Sequence, residues 1–128
     1  MPITIEQVLA LLLAGAAGTF SRYALHLLVN QWLGSTFPYG ILTVNLLGCF
    51  LFGLVAQLYG DQSDHPTRFI LLTGFMGAFT TFSTFSWDSF TMLRQGNYST
   101  AILHVGVQVL GGLVVLAAGV QLGRRFQP

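Results

Sequence analysis

Apolar residues form four long runs along the chain, separated by short segments rich in turn-favouring and polar residues. A membrane-spanning helix needs about 20 mostly apolar residues, and each run is that long. The runs extend over about 4–33, 39–59, 68–93 and 99–122. The pattern predicts an all-α membrane protein, with one four-helix transmembrane domain over residues 1–128 and both chain ends on one side of the membrane.

Turn signals mark the boundaries between the runs. Gly34, Ser35 and Pro38 separate the first two, and the polar segment from Asp61 to Pro66 is the longest predicted loop. Gln95-Gly96-Asn97 separates the last two. The first run lacks the basic start and small-residue cleavage site of a signal peptide, so we expect it to be retained as a span.

Composition places the outer surface of the protein in lipid. Of the 128 residues, 53% are hydrophobic and 7% are charged, whereas a soluble domain carries roughly 25% charged residues. So few charges cannot cover the outside of a soluble fold, and we expect the lipid bilayer to surround it. Five arginines, four acidic residues and no lysine exclude a nucleic-acid partner and a polybasic tail. The spans leave no length for a soluble catalytic domain.

The arginines are divided almost evenly between the two predicted faces. Arg68, Arg124 and Arg125 lie on the face that holds the chain ends, and Arg22 and Arg94 lie on the other. An excess of basic residues on one face normally fixes the orientation of a protein in the membrane, so three arginines on one face and two on the other fix it only weakly. Four helices also enclose little interior, which favours oligomers. We therefore predict a dual-topology homodimer of two oppositely inserted, antiparallel copies.

The third run contains a polar cluster at mid-membrane depth. Gly74 and Gly77 precede five hydroxyl residues interleaved with phenylalanines over residues 80–86. This composition disfavours a continuous helix, so we predict a break. Non-helical backbone persists in a membrane only where protein or water satisfies its polar groups, and a break therefore indicates a buried ion or an ion pathway. The alternative is a kinked, continuous helix whose hydroxyls bond to their own carbonyls.

The cluster offers ligands for ions of either sign. Freed carbonyls near Gly77 and Thr80 suit a small hard cation such as Na⁺. Hydroxyls, amide hydrogens and the start of the following half-helix suit an anion. The ring edges of Phe82 and Phe85, three residues apart on one helical face, would also favour an anion, with ordinary packing as the alternative.

A few other polar residues lie inside the predicted spans. Asn45 in the second span is either an anion ligand or an interhelical hydrogen-bond partner. His104 and Gln108, four residues apart in the fourth span, either line a pore or bond to each other. Arg22 either attracts an anion or extends towards the membrane surface.

Three motifs resemble the CrcB/Fluc family of fluoride ion channels, and together they cover essentially the whole chain. They are Gly18-x-x-x-Arg22-Tyr23, Gly40-x-x-Thr43-Val44-Asn45-x-x-Gly48 and Thr73-Gly74-Phe75-x-Gly77-x-x-Thr80-Thr81-Phe82-Ser83-Thr84-Phe85-Ser86. The resemblance implies a fluoride-specific channel in the inner or plasma membrane of a microbe. Passive fluoride efflux through it would reduce fluoride toxicity in the cytoplasm.

The resemblance also implies a dual-topology antiparallel homodimer with a structural sodium ion at its interface. The sodium ligands would be the backbone oxygens of Gly77 and Thr80 from both subunits. Phe82 and Phe85 would form paired-ring fluoride stations, with Asn45 as an amide donor.

Further polar residues would complete the fluoride pathway by the same resemblance. Ser83 and Thr84 would contribute hydroxyls, and Arg22 would stand at the vestibule. His104 and Gln108 occupy positions that the family fills with hydroxyl or amide groups, so the histidine is a departure. A neutral imidazole there would donate a hydrogen bond to fluoride.

Other functions fit the sequence less well. A small proton-coupled multidrug-type exporter needs a carboxylate deep in a span, but Glu6 lies near the N-terminus and Asp88 follows the predicted break. An intramembrane hydrolase using Ser83 and His104 would lack a nucleophile motif and a third catalytic group. A purely structural scaffold would not need the hydroxyl-rich cluster. We therefore predict no enzyme activity.

Overall fold

Four membrane-length helices make up most of the structure. The computed structural model describes residues 4–60 and 65–126. Each helix is long and apolar enough to cross a membrane, which confirms the predicted four-span, all-α architecture. Of the predicted loop from Asp61 to Pro66, residues 61–64 lie outside the described residues. The helices are α1 (Ile5–Leu33), α2 (Tyr39–Tyr59), α3 (Pro66–Arg94) and α4 (Tyr98–Arg124).

A capping box marks the start of α1, and glycines follow the ends of three helices. At the start of α1, Gln7 N–H donates to Thr4 Oγ1 over 3.2 Å and Thr4 N–H donates to Gln7 Oε1 over 3.0 Å, which is a capping box. After α1, α2 and α3 the glycines Gly34, Gly60 and Gly96 have φ of 80°, 48° and 78°. Glycine adopts this backbone without a steric penalty, so the chain can reverse direction there.

Helices α2 and α4 pack backbone to backbone through two glycines. Gly53 of α2 lies against the Leu116 carbonyl of α4, and Gly119 of α4 lies against the Phe50 carbonyl of α2. A Cβ atom on either glycine would overlap that carbonyl oxygen. Small residues let membrane helices approach this closely and gain dispersion contacts along their length. The contact between α2 and α4 is therefore a close backbone-to-backbone packing.

Helix α1 packs against α3 but leaves most of its surface open. Gly18 lies against the Phe75 carbonyl, and Gly74 lies near Leu11. Gly18 is the buried residue of α1, whereas side chains such as Leu13 are 72% exposed. The open surface of α1 therefore faces lipid or a second subunit.

Helix α3 is interrupted midway along its length. Its first half ends at Phe79, and its second half is Phe82–Arg94. Between them Thr80 (φ −83°, ψ 158°) and Thr81 (φ −146°, ψ 109°) are extended. The predicted break is confirmed, and the alternative of a kinked but continuous helix is wrong. Wider π-helical turns over Ile70–Met76 precede the break.

Candidate functional site

Asn45 of α2 holds the break in α3 through the backbone of Thr81. Asn45 Oδ1 accepts a hydrogen bond from Thr81 N–H over 2.9 Å, and Asn45 Nδ2 donates to the Thr81 carbonyl over 3.1 Å. Thr81 is 6% exposed, so without the asparagine its N–H would be desolvated and unpaired. The amide side chain thus replaces the helical acceptor of Thr81 N–H and adds a donor to its carbonyl.

The break leaves the last carbonyl oxygens of the first half without their usual helical donors, and those of Gly77 and Thr80 are among them. In a continuous helix Thr81 N–H would bond the Gly77 carbonyl, and Thr84 N–H would bond the Thr80 carbonyl. Instead Thr81 N–H donates to Asn45, and Thr84 N–H donates to Thr81 Oγ1 over 3.2 Å. The two carbonyls are those that the sequence resemblance assigns to sodium.

A cleft of about 400 Å³ lies beside the break. Its surface is mostly apolar with a few convergent polar groups, which is typical of sites for small ligands. Four residues predicted for the fluoride pathway line it together with the two residues of the break. These are Asn45, Phe82, Phe85, Gln108, Thr80 and Thr81.

The two predicted ring residues contact each other edge to face. The ring centroids of Phe82 and Phe85 are 5.5 Å apart with an interplanar angle of 61°. Phe85 is 9% exposed, whereas Phe82 is 78% exposed and projects from the subunit. One ring is therefore fixed by packing, and the other lies where lipid or a second subunit would cover it.

A chain of hydrogen bonds runs from the cleft into the subunit. Asn45 Nδ2 donates to Gln108 Oε1 over 3.3 Å, and Gln108 Nε2 lies 3.3 Å from His104 Nε2. His104 Nδ1 lies 3.4 Å from Ser89 Oγ, which donates to the Phe85 carbonyl over 2.8 Å. Gln108 lines the cleft, and His104 is completely buried behind it. The predicted polar stripe therefore bonds internally and also reaches the cleft through Gln108.

Besides Gly77 and the buried His104, three further predicted site residues lie outside this cleft. Thr84 Oγ1 and Ser83 Oγ are 2.9 Å and 3.4 Å from Thr81 Oγ1, so they join the hydroxyl group that caps the second half of α3. Arg22 is half-buried on α1. Among the described residues, none of the three lines the cleft.

Sequence analysis did not identify two residues that surround His104. Ser89 bonds its ring nitrogen, and Phe37 meets its ring edge to face with centroids 5.4 Å apart. The sequence could have indicated Ser89, because it follows Phe85 by four residues and so lies on the same helical face. Phe37 precedes α2 in a turn segment, where no periodicity indicates its contacts.

A second cavity, of about 310 Å³, lies beside the segment that joins α1 and α2, and its lining is more polar than that of the cleft. His26, Asn30 and Asp88 line it. Asn30 Oδ1 accepts from Gly40 N–H over 3.1 Å, and Asn30 Nδ2 lies 3.1 Å from His26 Nε2. The carboxylate of Asp88 therefore lies away from the cleft, near an end of the spans.

Comparison with known proteins identifies relatives over nearly the whole chain. The sequence profile of the family described as CrcB-like protein, Camphor Resistance (CrcB), matches residues 9–120. A fluoride-specific ion channel FluC of Solidesulfovibrio magneticus is 48% identical over 122 residues, which cover 94% of this chain and 98% of that protein. One of the same name from Chloroflexus aurantiacus is 42% identical over 123 residues, covering 94% and 98%. Another, from Nitrosococcus oceani, is 49% identical over 109 residues, covering 84% and 87%.

Proposed function

This chain belongs to the CrcB-like protein family, and on that premise we propose that it is a fluoride-specific ion channel. It is a multi-pass protein of a microbial plasma membrane, and fluoride passes through it down the electrochemical gradient. Its close relatives carry the name of that activity. The main structural support for the proposal is the lining of the cleft beside the break. It combines amide and hydroxyl groups with two phenylalanine rings, and among the described residues it holds no acidic residue.

The chemistry of the cleft fits a small anion that must both enter and leave. Fluoride is strongly hydrated, so a selective pathway must replace its water contacts with hydrogen-bond donors. Neutral amide and hydroxyl donors and the positive edges of aromatic rings supply such contacts without a full opposite charge. Several weak stations in sequence allow the ion to move on. The chain needs no covalent or proton-transfer step for this activity.

Fluoride efflux from liposomes that contain the purified protein tests the proposal. We expect fluoride release down its gradient, little chloride release, and no dependence on a proton gradient. The variant Glu6→Gln should conduct like the wild type, which separates a channel from a proton-coupled exporter. Fluoride release no faster than from protein-free liposomes would contradict the proposal.

Removing either aromatic ring from the cleft should slow fluoride efflux. We expect Phe82→Ile and Phe85→Ile each to lower the efflux rate about tenfold, the effect of losing about 1.4 kcal/mol of ring–ion stabilisation. Phe90→Ile is the matched control, because Phe90 lies on the same half-helix, is 52% exposed and does not line the cleft. Unchanged efflux in both cleft variants would remove the rings from the pathway.

We further propose that two oppositely inserted copies form an antiparallel homodimer. The near-even division of arginines supports this, since it leaves either orientation accessible. The exposure of Phe82 also supports it, as does a shallow surface of small residues where α1 meets α3, which would let a second subunit approach closely. That surface includes Gly15, Ala16, Thr19, Gly77 and Ala78. A reporter at the C-terminus that is found on one side of the membrane only would contradict dual topology.

We also propose that a structural sodium ion binds between the subunits through the carbonyls of Gly77 and Thr80. The site fits the ion because both oxygens have lost their helical donors and neutral oxygens are suitable ligands for a hard cation. When bound, the ion would neutralise carbonyl dipoles inside the membrane. Replacing sodium with a bulky organic cation should lower the unfolding temperature, and an unchanged temperature would contradict the site.

A further inference from the structure

In the hydrogen-bond chain behind the cleft, each donor and acceptor can be assigned, starting from the backbone of Thr81. Thr81 N–H can only donate and the Thr81 carbonyl can only accept, so the oxygen and nitrogen of Asn45 cannot be exchanged. Asn45 Nδ2 therefore reaches Gln108 as a donor. Gln108 must therefore accept this bond with Oε1, so its Nε2 faces His104.

The amide of Gln108 in turn decides where His104 carries its proton. An amide nitrogen donates hydrogen bonds and accepts none. His104 Nε2, 3.3 Å from Gln108 Nε2, must therefore be the acceptor and carry no hydrogen. In a neutral imidazole the proton then lies on Nδ1.

The opposite end of the chain assigns the same tautomer. Ser89 has one hydroxyl hydrogen, and it is donated to the Phe85 carbonyl over 2.8 Å. Ser89 Oγ therefore faces His104 Nδ1 as an acceptor, which requires the proton on Nδ1. A second proton, on Nε2, would point at the amide hydrogens of Gln108 and would place a charge on a ring with 0% exposure.

Counting the hydrogens of the two amide side chains identifies one that remains for an ion. The two hydrogens of Asn45 Nδ2 face the Thr81 carbonyl and Gln108 Oε1. Gln108 Nε2 also has two hydrogens, and one of them serves His104. The second belongs to a side chain that lines the cleft beside Phe82 and Phe85.

We propose that His104 is a positioning residue: by accepting one N–H of Gln108 at Nε2, it holds the amide so that the second N–H faces fluoride, whereas Asn45 holds the break. The inference rests on the proposed channel function. If His104 instead carried its proton on Nε2, that N–H would face the N–H of Gln108, because Asn45 keeps Oε1 on its own side. The amide would lose its partner at His104, and its second N–H would no longer be held towards an anion.

Nitrogen-15 NMR of histidine-labelled protein tests the tautomer without any transport. The chain has three histidines, and the variant His104→Gln identifies the signal of His104 by its loss. We expect Nδ1 to be protonated in the wild type. Gln108→Glu replaces the amide donor with an acceptor and should move a proton to Nε2, whereas the matched control Gln121→Glu, at an exposed site on the same helix, should not. Protonation of Nε2 in the wild type, or an unchanged spectrum in Gln108→Glu, would overturn the inference.

Fluoride efflux tests the positioning role. His104→Phe removes the acceptor for Gln108 and should slow efflux about tenfold, the effect expected from losing one hydrogen bond. His104→Gln retains an acceptor oxygen and should restore most of the rate. Gln108→Glu should abolish efflux, and Gln121→Glu should leave it unchanged. Equal efflux in the two His104 variants beside an active wild type overturns the positioning role, whereas an inactive wild type overturns the channel proposal itself.

Discussion

Replacing Asn45 with leucine should lower fluoride efflux about a hundredfold, because the broken conformation would then leave the buried Thr81 N–H without a partner at a cost of about 1–3 kcal/mol. Leucine has nearly the same shape as asparagine but cannot bond Thr81 N–H or its carbonyl. Thr81 N–H would then return to the Gly77 carbonyl, and α3 would become more continuous. That change closes the cleft and withdraws a proposed sodium ligand. Efflux from liposomes measures the effect.

The control for this prediction is the same substitution outside the membrane interior. Asn97 is exposed in the turn between α3 and α4, and its side chain bonds Gln95 over 3.4 Å. Asn97→Leu should conduct at the wild-type rate. A second variant, Asn45→Asp, keeps the acceptor for Thr81 N–H but loses the Nδ2 donor. Its efflux rate therefore shows how much each of the two hydrogen bonds contributes. Wild-type efflux in Asn45→Leu would show that the break does not depend on this side chain.

The second large effect concerns stability, and it comes from one methyl group at the contact between α2 and α4. We expect Gly119→Ala to lower the unfolding temperature by at least about 5 °C, since overpacking costs about 1–3 kcal/mol or more. Its Cβ would overlap the Phe50 carbonyl and lie 2.9 Å from Leu54 N. Backbone atoms cannot rotate away, so the helices would have to separate. Thermal unfolding in detergent measures the change.

Gly106 supplies the matched control on the same helix. A Cβ there would meet no atom within 4 Å, and alanine is favoured over glycine in a helix by about 1 kcal/mol. Gly106→Ala should therefore keep or raise the unfolding temperature. Equal unfolding temperatures for the two variants would contradict the close contact at Gly119.

The four spans could be predicted from sequence because crossing a bilayer requires long apolar runs, and nothing else in a chain of this size produces them. The break could be predicted because the hydroxyl-rich segment disfavours a continuous helix. Its position could be predicted only approximately. The extended residues are Thr80 and Thr81, and the partner that holds Thr81 is Asn45, which lies 36 residues earlier.

The contacts of the polar stripe could not be predicted in full. Sequence spacing places His104 and Gln108 on one face, but it does not show that Ser89 from another helix meets the ring. The orientation of the Gln108 amide depends on those distant partners. The π-helical turns over Ile70–Met76 and Val107–Gly111 also had no sequence signal, because they depend on how the helices pack.

The break in α3 has a consequence for the conditions under which the protein works. Each half of α3 is a separate dipole, with about half a unit of charge at each end. The carbonyl end of the first half and the amide end of the second meet across Thr80 and Thr81, so each chain has a local field of fixed direction relative to its own α3. Peptide groups do not gain or lose protons in acidic or alkaline water. The field at the break should therefore be the same whatever the acidity on either side of the membrane.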